Sequence, residues 1–139
     1  MPFCAYGALA GGFLTKSPEF VAESKDMRWD NSTRLGQFYH RLYDKPKLIK
    51  ALQTWEELSK ESGISKAALS YRWVAYNSAL RAKLGDSVIL GASSPEQLRL
   101  SLEYLEDGPL DDWVVDRIDD VWDSVKDEAV LDNFNMELK

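Results

Sequence analysis

Val88-Ile89-Leu90 is followed at once by Gly91 and then by Ser94-Pro95-Glu96-Gln97, and this stretch limits the folds open to the chain more than any other. A continuous apolar run of this kind suits a strand buried on both faces, as in a parallel sheet. Gly91 ends the run where the backbone must bend or approach another group. Ser94 can cap a helix, Pro95 fits its first position, and Gln97 can reach back to complete a capping box. Leu98, Leu102 and Leu105 then read as the buried stripe of that helix. Strand, turn and helix in this order belong to α/β architecture.

The corner between strand and helix has a chemistry of its own. A helix N-terminus presents unpaired backbone N–H groups and a partial positive charge, so it attracts phosphate. Ser93 and Ser94 add hydroxyls, and Arg99 adds a charge one turn in. An ordinary capped helix after an ordinary strand satisfies the same pattern, so both readings stand at this point.

A second strand precedes it in the chain. Phe3-Cys4-Ala5-Tyr6 is short and apolar, and it runs into Gly7-Ala8-Leu9-Ala10-Gly11-Gly12-Phe13-Leu14-Thr15. Paired glycines let a backbone approach a ligand or adopt positive φ. Neither the dinucleotide fingerprint G-x-G-x-x-G nor the P-loop spacing is present. Lys16 to Asn31 reads as a long polar excursion with one helical turn near Pro18, and it carries Arg28. Helices are expected from Thr33 (Leu35, Phe38, Tyr39, Leu42), from Pro46 to Ser62-Gly63 (Leu48, Ile49, Leu52, Trp55, Leu58) and from Ser65 (Leu69, Trp73, Tyr76, Leu80). A last helix is expected over Asp111 to Ala129, with Val114, Ile118, Val121, Trp122, Val125 and Ala129 on one face. The tail, residues 132–139, reads as irregular.

Composition excludes several classes. Of the 139 residues, 45% are hydrophobic, which argues against disorder and supports one domain with a core. Residues 101–139 carry 13 Asp and Glu against 3 Lys and Arg, and residues 1–100 carry 10 against 14. An acidic chain is a poor general nucleic-acid binder, while its mildly basic first part suits a phosphorylated small molecule. The single cysteine, Cys4, is expected as a buried small hydrophobe in a reducing compartment. His40 has no second His or Cys near it in sequence, so no metal site is expected, and the ring is placed at the surface or an interface. The N-terminus does not read as a signal peptide, and no apolar run approaches the roughly 20 residues that span a bilayer. A soluble, cytoplasmic protein is the expectation.

Two strands, each followed by helices, do not complete a sheet domain. The chain reads as a piece of something larger.

At this point two blocks become recognisable. Ala5 to Thr15, A-Y-G-A-L-A-G-G-F-L-T, resembles the seventh-strand segment of the aldo-keto reductases, commonly A-Y-N-P-L-A-G-G-L-L-T. Val88 to Leu98 resembles their eighth-strand segment, commonly V-I-x-G-x-S-S-x-E-Q-L-x-x-N. Arg28-Trp29 and Tyr39 to Tyr43 resemble the R-F and Y-x-x-R-Y stretch of the aflatoxin-aldehyde-reductase-like branch, and Ser65 to Trp73 resembles the seventh barrel helix. The resemblance implies an α/β fold, the last two strands of a partial (β/α)8 TIM barrel with their helices and a C-terminal helix, over residues 1–139 as a single incomplete domain.

It also implies an NADP(H)-dependent reductase of aldehydes or ketones, with the nicotinamide dinucleotide and a carbonyl substrate as partners. By that resemblance Leu9, Gly11 and Gly12 lie along the nicotinamide and pyrophosphate. Ser93, Ser94 and Gln97 hold the 2′-phosphate end, Ser101 faces the adenine, and Arg28 belongs to the loop over cofactor and substrate. Gly7-Ala8 replaces Asn-Pro, Ser101 replaces Asn, and Asn135 stands for an arginine in Asp132 to Asn135, which otherwise resembles N-Y-F-R. The family's catalytic Asp, Tyr, Lys and His are expected ahead of residue 1, so no catalytic residue is assigned here. A truncated reductase that keeps part of its cofactor site is the leading expectation. The alternative is a non-catalytic binding or assembly module that self-associates or complements another barrel fragment.

Overall fold

The computed structural model describes residues 1–23 and 28–131. Two short strands, β1 (Cys4–Ala5) and β2 (Ser87–Val88), pair in parallel with Cys4 opposite Ser87 and Ala5 opposite Val88. Ser87 N–H donates to Phe3 O at 2.9 Å and Ile89 N–H to Ala5 O at 2.8 Å. Asp86 closes the ends of this ladder, its carboxylate accepting from Phe3 N–H at 2.8 Å and Arg81 N–H at 2.9 Å.

The described residues also form six α-helices: α1 (Pro18–Glu23), α2 (Arg34–Tyr43), α3 (Pro46–Ser62), α4 (Lys66–Arg72), α5 (Pro95–Glu106) and α6 (Asp112–Val125). Their boundaries follow from local chemistry. Thr33, Ser65 and Ser94 cap α2, α4 and α5 by accepting from the N–H three residues on, and Pro46 and Pro95 open α3 and α5. Gly63 ends α3 in the left-handed conformation at φ 68°.

The core lies between helices. One cluster joins Phe13, Val21, Trp29, Leu48, Leu52 and Val125, and another joins Trp55, Leu58, Leu69, Leu110, Val114 and Ile118. Helix α3 runs through both and packs on α6. Lys45 Nζ donates to Glu128 O at 2.7 Å and Lys47 N–H to the Glu128 carboxylate at 3.0 Å, tying the start of α3 to the end of α6.

Several expectations are corrected here. The strands are shorter than 3–6 and 88–90, and they are not buried: Cys4 is exposed and Ile89 keeps 55% of its surface. The reason is that the pair has no further strand on either edge among the described residues. The stripe expected on α5 also faces out, with Leu98 and Leu102 exposed, and the buried residue of that helix is Ser101. The helical turn expected near Pro18 is α1, and the described part of residues 16–31 also gives the core two side chains, Val21 and Trp29. The helix from Ser65 passes into a π-turn at Trp73–Asn77, which leaves Tyr76 exposed, and α6 stops at Val125 with Trp122 exposed. Residues 132–139, including the Asp132 to Asn135 motif, lie outside the described residues.

Candidate functional site

Three segments far apart in sequence converge on an open cavity of about 780 Å³. The first is the turn after β1, where Gly11 and Gly12 take φ 66° and 93° within the tight run Ala10–Thr15. A Cβ built on Gly12 would meet nothing nearer than Lys16 Cε at 4.0 Å, so the backbone there is open to a ligand. A Cβ on Gly11 would lie 2.1 Å from the Tyr39 ring, so this glycine is required by packing. The second segment holds Arg28 and Trp29. The third is Gly91 to Ser93, leading into α5, with Gln97, Leu100, Ser101 and Tyr104 on its inner face.

Helix α4 sets the distance between these walls. The Ser70 hydroxyl donates to Ala8 O, and Lys66 Nζ reaches Lys16 O at 3.0 Å, which holds the glycine turn. At its other end Arg72 donates to Gly108 O at 2.8 Å and to Pro109 O at 2.9 Å, while Tyr76 Oη donates to Leu105 O at 2.7 Å. These bonds fix the C-terminal end of α5 and so aim its N-terminus at the cavity.

The start of α5 differs in detail from the expected capping box. Ser94 Oγ accepts from Gln97 N–H at 3.2 Å, as a cap should. Gln97 reaches one residue further back than the cap: its Oε1 accepts from Ser93 N–H at 3.0 Å and from the Ser93 hydroxyl at 2.8 Å. Both Ser93 donors are therefore used to orient Gln97, whose amide NH2 becomes the donating end. The Ser101 hydroxyl donates to Gln97 O at 2.8 Å and keeps lone pairs to accept with. Leu9, Gly11, Gly12, Arg28, Ser93, Gln97 and Ser101 all line the cavity, and Ser94 stands behind it as the cap.

Arg99 is corrected. Its guanidinium is 2.6 Å from Glu96 and also pairs with Glu103, and the residue does not line the cavity. Hydrogen bonding to Glu96, with the charge of Glu103, raises its pKa. Its spacing from both glutamates, three and four residues, already contained this outcome. His40 is corrected as well: it is largely buried, with Nε2 3.0 Å from Trp29 O and Nδ1 3.1 Å from the Asp44 carboxylate. The sequence reading missed Lys16, Ala67, Tyr71, Leu100 and Tyr104 as lining residues. The signal for Leu100 and Tyr104 was their i, i+4 spacing on the face that includes Ser101.

Among the described residues no group of three or more His, Cys, Asp or Glu could hold a metal ion, and no helix is long and apolar enough to cross a membrane.

Residues 1–123 match the aldo/keto reductase family, and the chain belongs to it. It is 39% identical to the oxidoreductase sirO of Leptosphaeria maculans, over 91% of its own length and 38% of that protein's. It is 36% identical to aflatoxin B1 aldehyde reductase member 2 of Homo sapiens, over 91% of its own length and 37% of that protein's. To the aldo-keto reductase pigE of Monascus ruber it is 32% identical, over 85% and 36%. The chain thus spans less than two fifths of the length of these relatives and matches their C-terminal part.

The donor set suits a phosphate-bearing ligand. An open glycine turn, a twelve-residue helix with its N-terminus at the rim, and Arg28 line one volume. Gly91 lines it with nothing within 4 Å of a Cβ position, which leaves room for a ligand against the backbone.

Proposed function

We propose that this chain is the cofactor-holding C-terminal portion of an NADP(H)-dependent aldo-keto reductase that reduces aldehydes or ketones. Residues 1–139 would form a single incomplete domain contributing the last two strands of a (β/α)8 barrel. The observation that carries this reading is the convergence of Gly11-Gly12, Arg28 and the Ser93–Gln97 helix start on one cavity.

Leu9, Gly11 and Gly12 would hold the nicotinamide and pyrophosphate against backbone, and Gln97, oriented by Ser93 and with Ser94 as the helix cap, would hold the 2′-phosphate at the positive end of α5. Ser101 would meet the adenine, and Arg28 would belong to the loop that folds over cofactor and substrate. When bound, the cofactor supplies the hydride. The residues here bind and orient it, and the proton donor would come from elsewhere in the barrel, so no residue of this chain is assigned a catalytic role.

Calorimetric titration of the purified chain with NADPH and with NADH tests this. Saturable NADPH binding that is tighter than NADH binding is the expected result. A folded chain that binds neither would overturn it.

The exposed apolar residues Phe3, Tyr6 and Ile89 along the strands favour a second reading, a non-catalytic module that self-associates or complements another barrel fragment. Light scattering behind size exclusion separates the two: a stable oligomer that ignores dinucleotides supports the module.

A further inference from the structure

Tyr71, on α4, keeps 3% of its surface exposed, yet neither apolar cluster of the core includes it. It lines the cavity instead. Its hydroxyl forms no hydrogen bond among the described residues. The polar side-chain atoms sealed there without a partner are the indole nitrogens of Trp29, Trp55 and Trp73, so the Tyr71 hydroxyl is not sealed with them. A tyrosine this deeply buried ordinarily finds a partner for its O–H. Here that partner has to come through the cavity.

The surroundings say what kind of ligand would supply it. Helix α4 packs against α5, and the two give the cavity Ala67 and Tyr71 from one side and Leu100, Ser101 and Tyr104 from the other. None of these side chains is an acid or a base of the ordinary pH range. Among the described residues the cations lining the cavity are Lys16 and Arg28, and both lie outside α4 and α5. Phosphates are therefore matched by the glycine turn, Arg28 and the start of α5, while the wall between the two helices suits an uncharged heterocycle and its sugar. The Ser101 hydroxyl gives its proton to Gln97 O, so toward a ligand it accepts. The Tyr71 hydroxyl can donate, and the two together offer both halves of the hydrogen bonding a nucleoside presents.

We propose that Tyr71 is a binding residue whose hydroxyl hydrogen-bonds the adenosine end of the dinucleotide. This rests on the cofactor reading above, and the test separates the two. NADPH and adenosine 2′,5′-bisphosphate, which is the adenosine end alone, would be titrated by calorimetry into the wild-type chain and Tyr71→Phe. Both proteins would also be unfolded in urea.

Tyr71→Phe keeps the ring and removes the hydroxyl. Since no described group of the protein bonds that hydroxyl, the urea midpoint should stay at the wild-type value. Both ligands should bind about two- to tenfold more weakly, the range of one hydrogen bond. Unchanged affinity for the bisphosphate would overturn the proposal, whether or not NADPH binding falls. So would a midpoint that drops along with the affinity, because the hydroxyl would then serve the fold. If the wild-type chain binds the bisphosphate and not NADPH, the cofactor reading fails alone, and the effect of Tyr71→Phe on the bisphosphate still decides. If it binds neither, both fail.

Discussion

Gly36→Ala sets two effects of opposite sign against each other. Gly36 is the third residue of α2, and replacing glycine by alanine in a helix ordinarily stabilises by at most about 1 kcal/mol. At this site a Cβ would lie 1.9 Å from Asp30 O and 2.4 Å from its carbonyl carbon, against backbone that has little freedom to yield. Asp30 O accepts from Thr33 N–H and from the Thr33 hydroxyl, each at 2.9 Å, and Ser32 N–H binds the Asp30 side chain at 2.9 Å. Moving that carbonyl aside gives up two hydrogen bonds at about 1 kcal/mol each, and the added overpacking costs about 1–3 kcal/mol. After the helix gain is subtracted, the net loss is about 2–4 kcal/mol by the same principles.

Urea unfolding followed by tryptophan fluorescence reads this directly. At a slope of about 2 kcal/mol per molar, the midpoint should fall by about 1–2 M. Gly63→Ala is the matched control, because Gly63 takes φ 68° with nothing within 4 Å. It should lose only about 1 kcal/mol of left-handed strain. A Gly36→Ala chain as stable as wild type would refute the steric argument.

Three further outcomes follow from the same geometry. Gly11→Ala combines left-handed strain at φ 66° with a collision against Tyr39 and should cost about 2–4 kcal/mol in urea unfolding; adding Tyr39→Ala should cost less than the two changes separately, and strict additivity would count against the contact. Arg99→Ala should leave NADPH affinity within about twofold, because Glu96 and Glu103 engage this side chain away from the cavity, whereas a calorimetric loss as large as that of Arg28→Ala would restore Arg99 to the site. The Asp86 carboxyl is held below its usual value by hydrogen bonds from the backbone N–H groups of Phe3 and Arg81. Its contribution is therefore fully present above the ordinary carboxylate pKa near about 4 and is lost as pH falls through the folded value. The gap in melting temperature between wild type and Asp86→Asn should close on acidification from pH about 7 to about 2.5, and a constant gap would refute the linkage.

The helices were legible because their signals are local. Thr33, Ser65 and Ser94 as caps, Pro46 and Pro95 as first residues, and Gly63 as a stop all act within four residues of themselves. The apolar positions of α3 were equally plain, since Leu48, Leu52, Trp55 and Leu58 recur at helical spacing and are all buried. Burial of the strands was not legible, because an apolar run states what a segment can bury against and says nothing about whether a neighbour is there. Ile89 and Leu98 have the residue types of a core and stand exposed. The bracket formed by α2 was hidden for a different reason: Gly36 against Asp30 and His40 against Trp29 are contacts of side chain or Cβ with distant backbone, which leave no periodicity behind. Of the site, the glycine turn and the start of α5 could be read from residue type alone. The partners of Ser93 and Gln97 could not, since each choice depends on which face of the helix start looks into the cavity.

Burial is distributed unevenly, and this bears on how the cavity would respond to a ligand. The clusters around α3, α4 and α6 bury large side chains, including Trp55, Leu58, Leu69 and Val114, and do not involve the strands. The wall made by β2 and the first turns of α5 has no buried apolar residue, and Ser101 is the buried position of that helix. A segment with so little buried surface opens at lower free energy than the helical core, so its amides should exchange through local opening rather than global unfolding. Under the proposed cofactor role, a dinucleotide held at Ser93 and Gln97 would bind only the closed form of this wall. It would therefore stabilise the wall by mass action, while the core, already at the global limit, would gain only what global unfolding gains. Part of the binding free energy would go into that closure, and the affinity of the proposed site would accordingly be lower than its donor set alone would give.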